Sequence, residues 1–218
     1  MLILVLDAST PVVAVALAEE GEVRAEISTS AHGASEALLP AVHAALNLAG
    51  NDLASVERLL VGVGPGTFTG IRIAAATARA LSLGTGAALS KNSTLAALAA
   101  PALSCHTDVL AVLDARRGQV FARRFSGADT TEILCVKPEE LSSEGAPLIV
   151  GDGAVRYRKA LSPLGRIPPD DSPLHRVTAT GHVLSANLTP VGAEELVPIY
   201  VREPDAEVRR DLNPWSRP

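Results

Sequence analysis

The turn Gly64-Pro65-Gly66-Thr67-Phe68-Thr69-Gly70 separates a strand-length apolar run at 59–63 from a helical pattern that reaches about residue 83. No other stretch limits the fold so closely. Strand, glycine-rich turn and helix in direct succession are a unit of α/β proteins. Glycines on both sides of a proline permit backbone angles closed to other residues. Thr67 or Thr69 is placed to cap the helix. A helix N-terminus behind such a turn presents free N–H groups to an anion, and the turn serves equally as a structural connection. It is not a Walker phosphate loop, because no Gly-Lys-Ser/Thr follows.

The helix after the turn carries Ile71, Ala74, Ala75, Ala78 and Leu81 along one side. Its alanines invite a closely packed neighbour, and Arg72 and Arg79 share a different side. An earlier helix is expected at 35–48, with Ser35 as N-cap and a small kink at Pro40. Leu38, Val42, Ala45 and Ala49 form one apolar line on it, and Leu39 and Leu46 begin a second. Only Glu36, His43 and Asn47 form a polar stripe. That is more apolar surface than a sheet covers, which suggests a partner protein.

Before this helix, runs at 2–6, 12–18 and 23–29 read as an antiparallel meander, with the alternating third strand at an edge. After the central unit come a short strand at 87–89 and a helix capped by Asn92 or Ser93 and ended by Pro101. The second half reads as strands at 109–113, 119–125, 132–136 and 148–150, a helical turn at 138–141, helices at 156–161 and 175–188, and a last strand at 197–201. The two halves share a plan of adjacent strands, helix, strand and helix. This predicts a duplicated, two-lobed α/β protein with a cleft, divided as 1–103 and 104–202, with a polar tail at 203–218.

Aromatic residues make up only 3% of the chain, so the core must be Ala, Val, Leu and Ile. The net charge of -5 argues against a surface that grips nucleic acid everywhere, and leaves room for a local basic patch. Arg116, Arg117, Arg123 and Arg124 form such a group on a hairpin, either as a solvated face or as a contact to an RNA backbone. Cys105 and Cys135 lack metal-type spacing and are expected as buried, reduced thiols. With neither a signal-type start nor a membrane-length apolar run, a cytoplasmic protein is expected. No metal site is expected, because neither His32 with His43 nor His175 with His182 has a carboxylate at ligand spacing. These histidines read as surface or packing residues. Ser35-Glu36 beside His32 reads as a helix cap, and no nucleophile with a nearby base stands out.

In an actin-like duplicated fold, the turn after the first strand holds nucleotide phosphate. Here that turn is Asp7-Ala8-Ser9-Thr10, with Ser9 where glycine would admit phosphate to the backbone. The second turn, Asp114-Ala115-Arg116, is crowded by its arginine. Asp7, Ser9, Thr10, Gly64, Gly66, Thr67 and Thr69 are therefore expected as a vestigial nucleotide or anion contact, without ATP hydrolysis by the chain.

Five stretches together resemble the TsaB (YeaZ) family of tRNA threonylcarbamoyladenosine biosynthesis. They are ILVLDAST at the start, GPGTFTGIRI, LDARRGQVF from Leu113, Gly151-Asp152-Gly153, and PIYVR from Pro198 to Arg202. The resemblance implies an actin-like, Hsp70-like two-lobed fold and a non-catalytic scaffold role beside a TsaD-type catalytic subunit. The histidine pair that holds metal in TsaD-type proteins has no counterpart at 87–100. It implies a homodimer when the chain is alone, a TsaE-type ATPase as a further partner, and tRNA bound through the complex. ATP and metal are then carried by partner subunits. The partner interface is expected on the first-lobe helices, at Leu39, Val42, His43, Leu46, Ile71, Arg72, Ala75, Ala78 and Arg79. The alternatives are an actin-like ATPase or sugar kinase and a glycoprotease-like peptidase.

Overall fold

The computed structural model describes residues 1–30, 33–127 and 129–201. His32, Arg202 and the tail at 203–218 lie outside them. The chain opens with β1 (Leu2–Asp7), β2 (Val13–Glu19) and β3 (Glu22–Thr29), then α1 (Ala34–Ala49), β4 (Arg58–Gly62), α2 (Phe68–Thr85), β5 (Ala88–Asn92) and α3 (Thr94–Leu103). The second half contributes β6 (Asp108–Arg116), β7 (Gln119–Ser126), β8 (Asp129–Thr130), β9 (Leu134–Val136), β10 (Leu148–Val150), α4 (Asp152–Arg156), α5 (Arg158–Leu161) and α6 (Ala179–Ser185).

The first sheet has the order β3-β2-β1-β4-β5. Its first three strands are the antiparallel meander, β4 and β5 are parallel additions, and β3 is at an edge as its alternation requires. A register shift opposite Leu17 and Ala18 moves Val23 to the other face of β3 from Ala25 and Ile27. The second sheet runs β10-β6-β7-β8, with β9 also on β7. β10, β6 and β7 repeat the relations of β4, β1 and β2, while among the described residues no helix like α1 intervenes before β10.

Both sheets are covered on both faces. α1 and α2 lie side by side on one face of the first sheet, over Leu4, Leu6, Val15, Leu17, Leu59 and Val61. α6 covers the other face, where Ala179 meets Ile3, Val5 and Leu60. α3 packs on the second sheet with Leu95 and Leu98 against Val109, Ala111 and Leu113. α4 and α5 cover its far side. The elements therefore cross the expected 103/104 division: α3 serves the second sheet and α6 the first, and the two helices pack together between the sheets.

Several local expectations need correction. Ser35 lies inside α1, whose N-cap is Gly33. Thr67 is the N-cap of α2, but its hydroxyl turns to the Ala8 carbonyl at 3.4 Å and makes no cap bond. Pro101 does not end α3. It deprives the Ala97 carbonyl of its helical donor, and α6 approaches at that carbonyl, where a Cβ on Gly181 would overlap the oxygen. The helix expected at 156–161 is two short ones, α4 and α5, meeting at Tyr157. The helix expected at 175–188 is a 3₁₀ turn, Pro173–His175, followed by α6. Residues 197–201 form no strand. Pro198 has no N–H to give, and the segment touches the first sheet through Ile199, whose N–H donates to the Val63 carbonyl at 2.8 Å. Cys105 is exposed and Cys135 half-buried. Among the described residues no helix is long and apolar enough to cross a membrane.

Candidate functional site

The ends of β1 and β4 put the first turn and the glycine-rich turn side by side. Thr67 N–H donates to the Ser9 carbonyl at 2.6 Å. A Cβ on Gly66 would overlap the Ser9 carbonyl oxygen, and one on Gly70 the Ala8 carbonyl oxygen. These two glycines thus admit a neighbouring stretch of their own backbone. Gly62, the one break in an apolar strand, does the same for a side chain: its Cβ would fall on the Asp7 carboxylate.

Asp7 is fully buried and fully partnered. Its Oδ1 accepts from Ser9 N–H at 2.7 Å and from the Ser9 hydroxyl at 2.6 Å. Its Oδ2 meets His182 Nε2 at 2.7 Å and accepts from Thr94 at 3.3 Å. His182 Nδ1 faces the Asn92 amide at 3.2 Å, and that amide donates to Ser185 at 2.7 Å. Burial would raise the Asp7 pKa. The bond from His182, its electrostatic pull and the two bonds from Ser9 outweigh it and hold the carboxyl below its ordinary value.

The second half repeats the construction in looser form. Gly151 and Gly153 pack against the backbone of Val112 and Leu113. Asp114 N–H donates to Asp152 Oδ1 at 3.0 Å. Loss of water around Asp152, with the charge of Asp114 beside it, raises the Asp152 pKa. His175, also buried, accepts from Gly151 N–H at 3.1 Å through Nδ1.

Between the two pairs of turns lies a cavity of about 430 Å³. Ser9, Thr10, Gly66 and Thr67 line one side of it, and Asp114, Arg116 and Asp152 the other. Phe68, Ile71, Phe121 and Tyr200 make the rest largely apolar. Of the sequence-derived contact residues, Ser9, Thr10, Gly66 and Thr67 therefore come together at the cavity, and Asp7 lies beneath them. Gly64 is engaged elsewhere, its carbonyl accepting from Thr94 N–H at 2.8 Å, and Thr69 is exposed outside the lining. The fit to a polyphosphate is poor. The amides of Ser9, Thr67 and Gly151 are already bonded within the chain, and two carboxylates stand in the wall. Among the described residues no group of three His, Cys, Asp or Glu comes together as a metal site.

The residues expected at a partner interface divide sharply. Val42, Leu46, Ile71, Ala75 and Ala78 are buried in this chain. The close neighbours that the alanines require are α1 and the sheet of the same lobe, so these five offer no surface to another protein. Arg72 and Arg79 are exposed, yet they hold the C-terminal segment. Arg72 Nε donates to the Tyr200 hydroxyl at 2.9 Å, with its guanidinium 3.6 Å from the centre of the Phe68 ring. Arg79 donates to the carbonyls of Ala193 and Leu196 at 2.8 and 2.9 Å. Leu39 and His43 remain outward, and Leu48 and Leu83, 70% and 90% exposed, extend the outer face of α1 and α2.

Two sheets of repeated strand plan, clasping α3 and α6 and opening a cleft between paired turns, define an actin-like two-lobed α/β protein. The ethanolamine utilization protein EutJ from Carboxydothermus hydrogenoformans shares the fold, with a TM-score of 0.53 at 14% identity over 85% of this chain and 89% of its own. The family model described as TsaD, tRNA N6-adenosine threonylcarbamoyltransferase, matches residues 15–142. The tRNA threonylcarbamoyladenosine biosynthesis protein TsaB of Escherichia coli is 34% identical over 149 residues, an alignment spanning 64% of each protein. An uncharacterized protein of Mycobacterium tuberculosis is 31% identical over 210 residues, or 94% of this chain and 93% of its own. YeaZ from Pseudomonas aeruginosa superposes with a TM-score of 0.78 at 26% identity, covering 91% of this chain and 99% of that one. The chain belongs to the TsaB (YeaZ) family, within the reach of the TsaD family model.

Proposed function

We propose that this chain is a non-catalytic scaffold and dimerisation subunit in tRNA threonylcarbamoyladenosine biosynthesis. A TsaD-type subunit transfers the threonylcarbamoyl group to the adenosine next to the anticodon, and this chain stabilises its competent arrangement. The observation that carries the reading is the closed phosphate turn: Gly66, Thr67 and Gly70 are docked on Ala8 and Ser9, and Asp7 is sealed beneath His182. A nucleotide-hydrolysing relative needs those groups open to phosphate. ATP and metal belong to the partner subunits in this reading, a TsaE-type ATPase among them. The outer face of α1 and α2 pairs with the TsaD-type subunit, or with a second copy when that subunit is absent.

The test is a reconstitution with the TsaD-type and TsaE-type proteins of the same genome, threonylcarbamoyl-adenylate and unmodified tRNA. Labelled threonine should enter tRNA only when this chain is present. The isolated chain should give no heat of binding with ATP and magnesium. Equal labelling without the chain removes the reading, and tight ATP binding by the chain alone restores the ATPase alternative.

A further inference from the structure

The hairpin between β6 and β7 turns through Arg116, Arg117 and Gly118, all three with positive φ, at 64°, 53° and 75°. Arg117 and Gly118 are the central residues of the tight turn between the paired Arg116 and Gln119. Such turns need φ above zero at both central positions and are ordinarily built from asparagine, aspartate and glycine. Arg117 at a central position and Arg116 just before it, both with positive φ, carry a conformational cost that asparagine or glycine would lower. A costly backbone at an exposed position points to the use of the side chains.

Their surroundings form a cationic rim. The Asp114 carboxylate, 6% exposed, reaches Arg116 at 3.4 Å and Arg156 at 3.6 Å, while those two side chains are 60% and 59% exposed. The acid is inside and the guanidiniums are outside, with Arg117 exposed on the same turn. Arg123 and Arg124, further along the hairpin, are half-buried. Arg123 donates to the Thr131 carbonyl at 2.9 Å, and Arg124 donates twice to Asp108 at 2.7 Å.

We infer that Arg116, Arg117 and Arg156 form a rim that grips phosphates of an RNA backbone. The inference rests on the reading of the chain as part of a tRNA-modifying assembly. Guanidinium groups suit phosphate because they donate in parallel pairs. Such contacts set the position of the RNA rather than read its sequence. Asp152 adds a carboxylate in the cavity wall beside the rim, so its charge, where ionised, opposes the grip.

The experiment measures binding of unmodified tRNA to the complex of this chain with its TsaD-type partner across a salt series. The variants are Arg117→Asn, Arg156→Gln and Asp152→Asn, with Arg24→Gln on the edge strand β3 as control. Arg117→Asn and Arg156→Gln should each weaken binding several-fold and lower the salt slope by about 0.7–0.9 per lost contact. Arg117→Asn should do so without lowering the melting temperature, because asparagine suits the left-handed turn. Asp152→Asn should tighten binding, and Arg24→Gln should leave it unchanged. Unchanged affinity and slope in the two arginine variants overturn the inference while the scaffold reading stands. So does a loss of co-elution with the partner that accounts for all the lost RNA, since the rim is then a protein contact. A wild-type complex that assembles and retains no tRNA removes both readings.

Discussion

The Asp7 carboxylate and the His182 imidazole meet at 2.7 Å with neither side chain reaching solvent, across 175 positions of sequence. The contact joins the end of β1 to α6, and through Asn92 it includes the end of β5. Removing His182 leaves the buried Asp7 carboxylate with only the neutral donors of Ser9 and Thr94, and breaking a buried pair in this way costs about 3–5 kcal/mol. His182→Ala should therefore lower the melting temperature by roughly 6–20 °C in a domain of this size. In a double-mutant cycle with Asp7→Asn, the combined loss should fall well short of the sum of the single losses. Additive losses would mean that the pair is not coupled.

The glycines of α2 separate close approach from mere flexibility. Gly70 is pressed against the Ala8 carbonyl, whereas Gly84, later in the same helix, has nothing within 4 Å of a built Cβ. Gly84→Ala should stabilise the protein by about 0.4–1 kcal/mol by restricting the unfolded chain. Gly70→Ala should destabilise it by more than about 2 kcal/mol, because the atom in the way is backbone and has little room to yield. Urea denaturation of the two variants checks both signs. A neutral Gly70→Ala would show that the two turns have freedom to separate.

Acid stability carries two opposed contributions. Asp7 is held below its ordinary pKa of 3.8. Its stabilising effect is complete above that value and is lost as pH falls through the lowered folded value. Asp152 is held above 3.8, so the folded state favours its protonated form. Its ionisation removes stability as pH rises from 3.8 through the raised value, and the loss is complete above that value. Asp7→Asn should flatten the acid limb of a stability–pH curve and lower its neutral plateau. Asp152→Asn should match or exceed wild type above the raised value, with the difference vanishing below 3.8. A steeper acid limb in Asp7→Asn would reverse the assigned sign.

What the sequence made legible follows local period. The meander, the edge position of β3, the strand-turn-helix unit and the duplicated plan all rest on patterns within a few residues of one another. The candidate site was half legible for the same reason. Asp7, Ser9, Gly66 and Thr67 lie in or beside turns that announce themselves, and the structure brings Ser9, Gly66 and Thr67 to one cavity with Asp7 beneath them. His182 lies in a stretch that reads as an ordinary helix, and no spacing links it to Asp7. The available signal was Gly62, an unexplained small residue in an apolar strand, whose reason is the Asp7 side chain beside it. The alanine stripe of α2 shows the opposite limit. It correctly called for a close neighbour, but periodicity does not say whether that neighbour belongs to the same chain, and here it does. Arg72 and Arg79 read as partner-interface residues because the segment they hold is more than a hundred residues distant in sequence.

That division also decides which substitutions test partner binding. Ala75 and Ala78 are 3% and 0% exposed, so Ala75→Arg would disrupt this chain's own core and lose any partner indirectly. Leu83 near the end of α2 and Leu39 on α1 are free to accept a charge without entering the core. A carboxylate placed in the apolar centre of an interface opposes association through desolvation, at about 1–3 kcal/mol or more. Leu39→Glu and Leu83→Asp should therefore keep the wild-type melting temperature within about 2 °C while weakening co-elution with the TsaD-type partner about tenfold or more. The same variants should shift the isolated chain toward monomer in sedimentation, since both associations are assigned to one face. Loss of the homodimer with full retention of the TsaD-type partner would place the two associations on different surfaces. Retention of both would move the interface away from these helices.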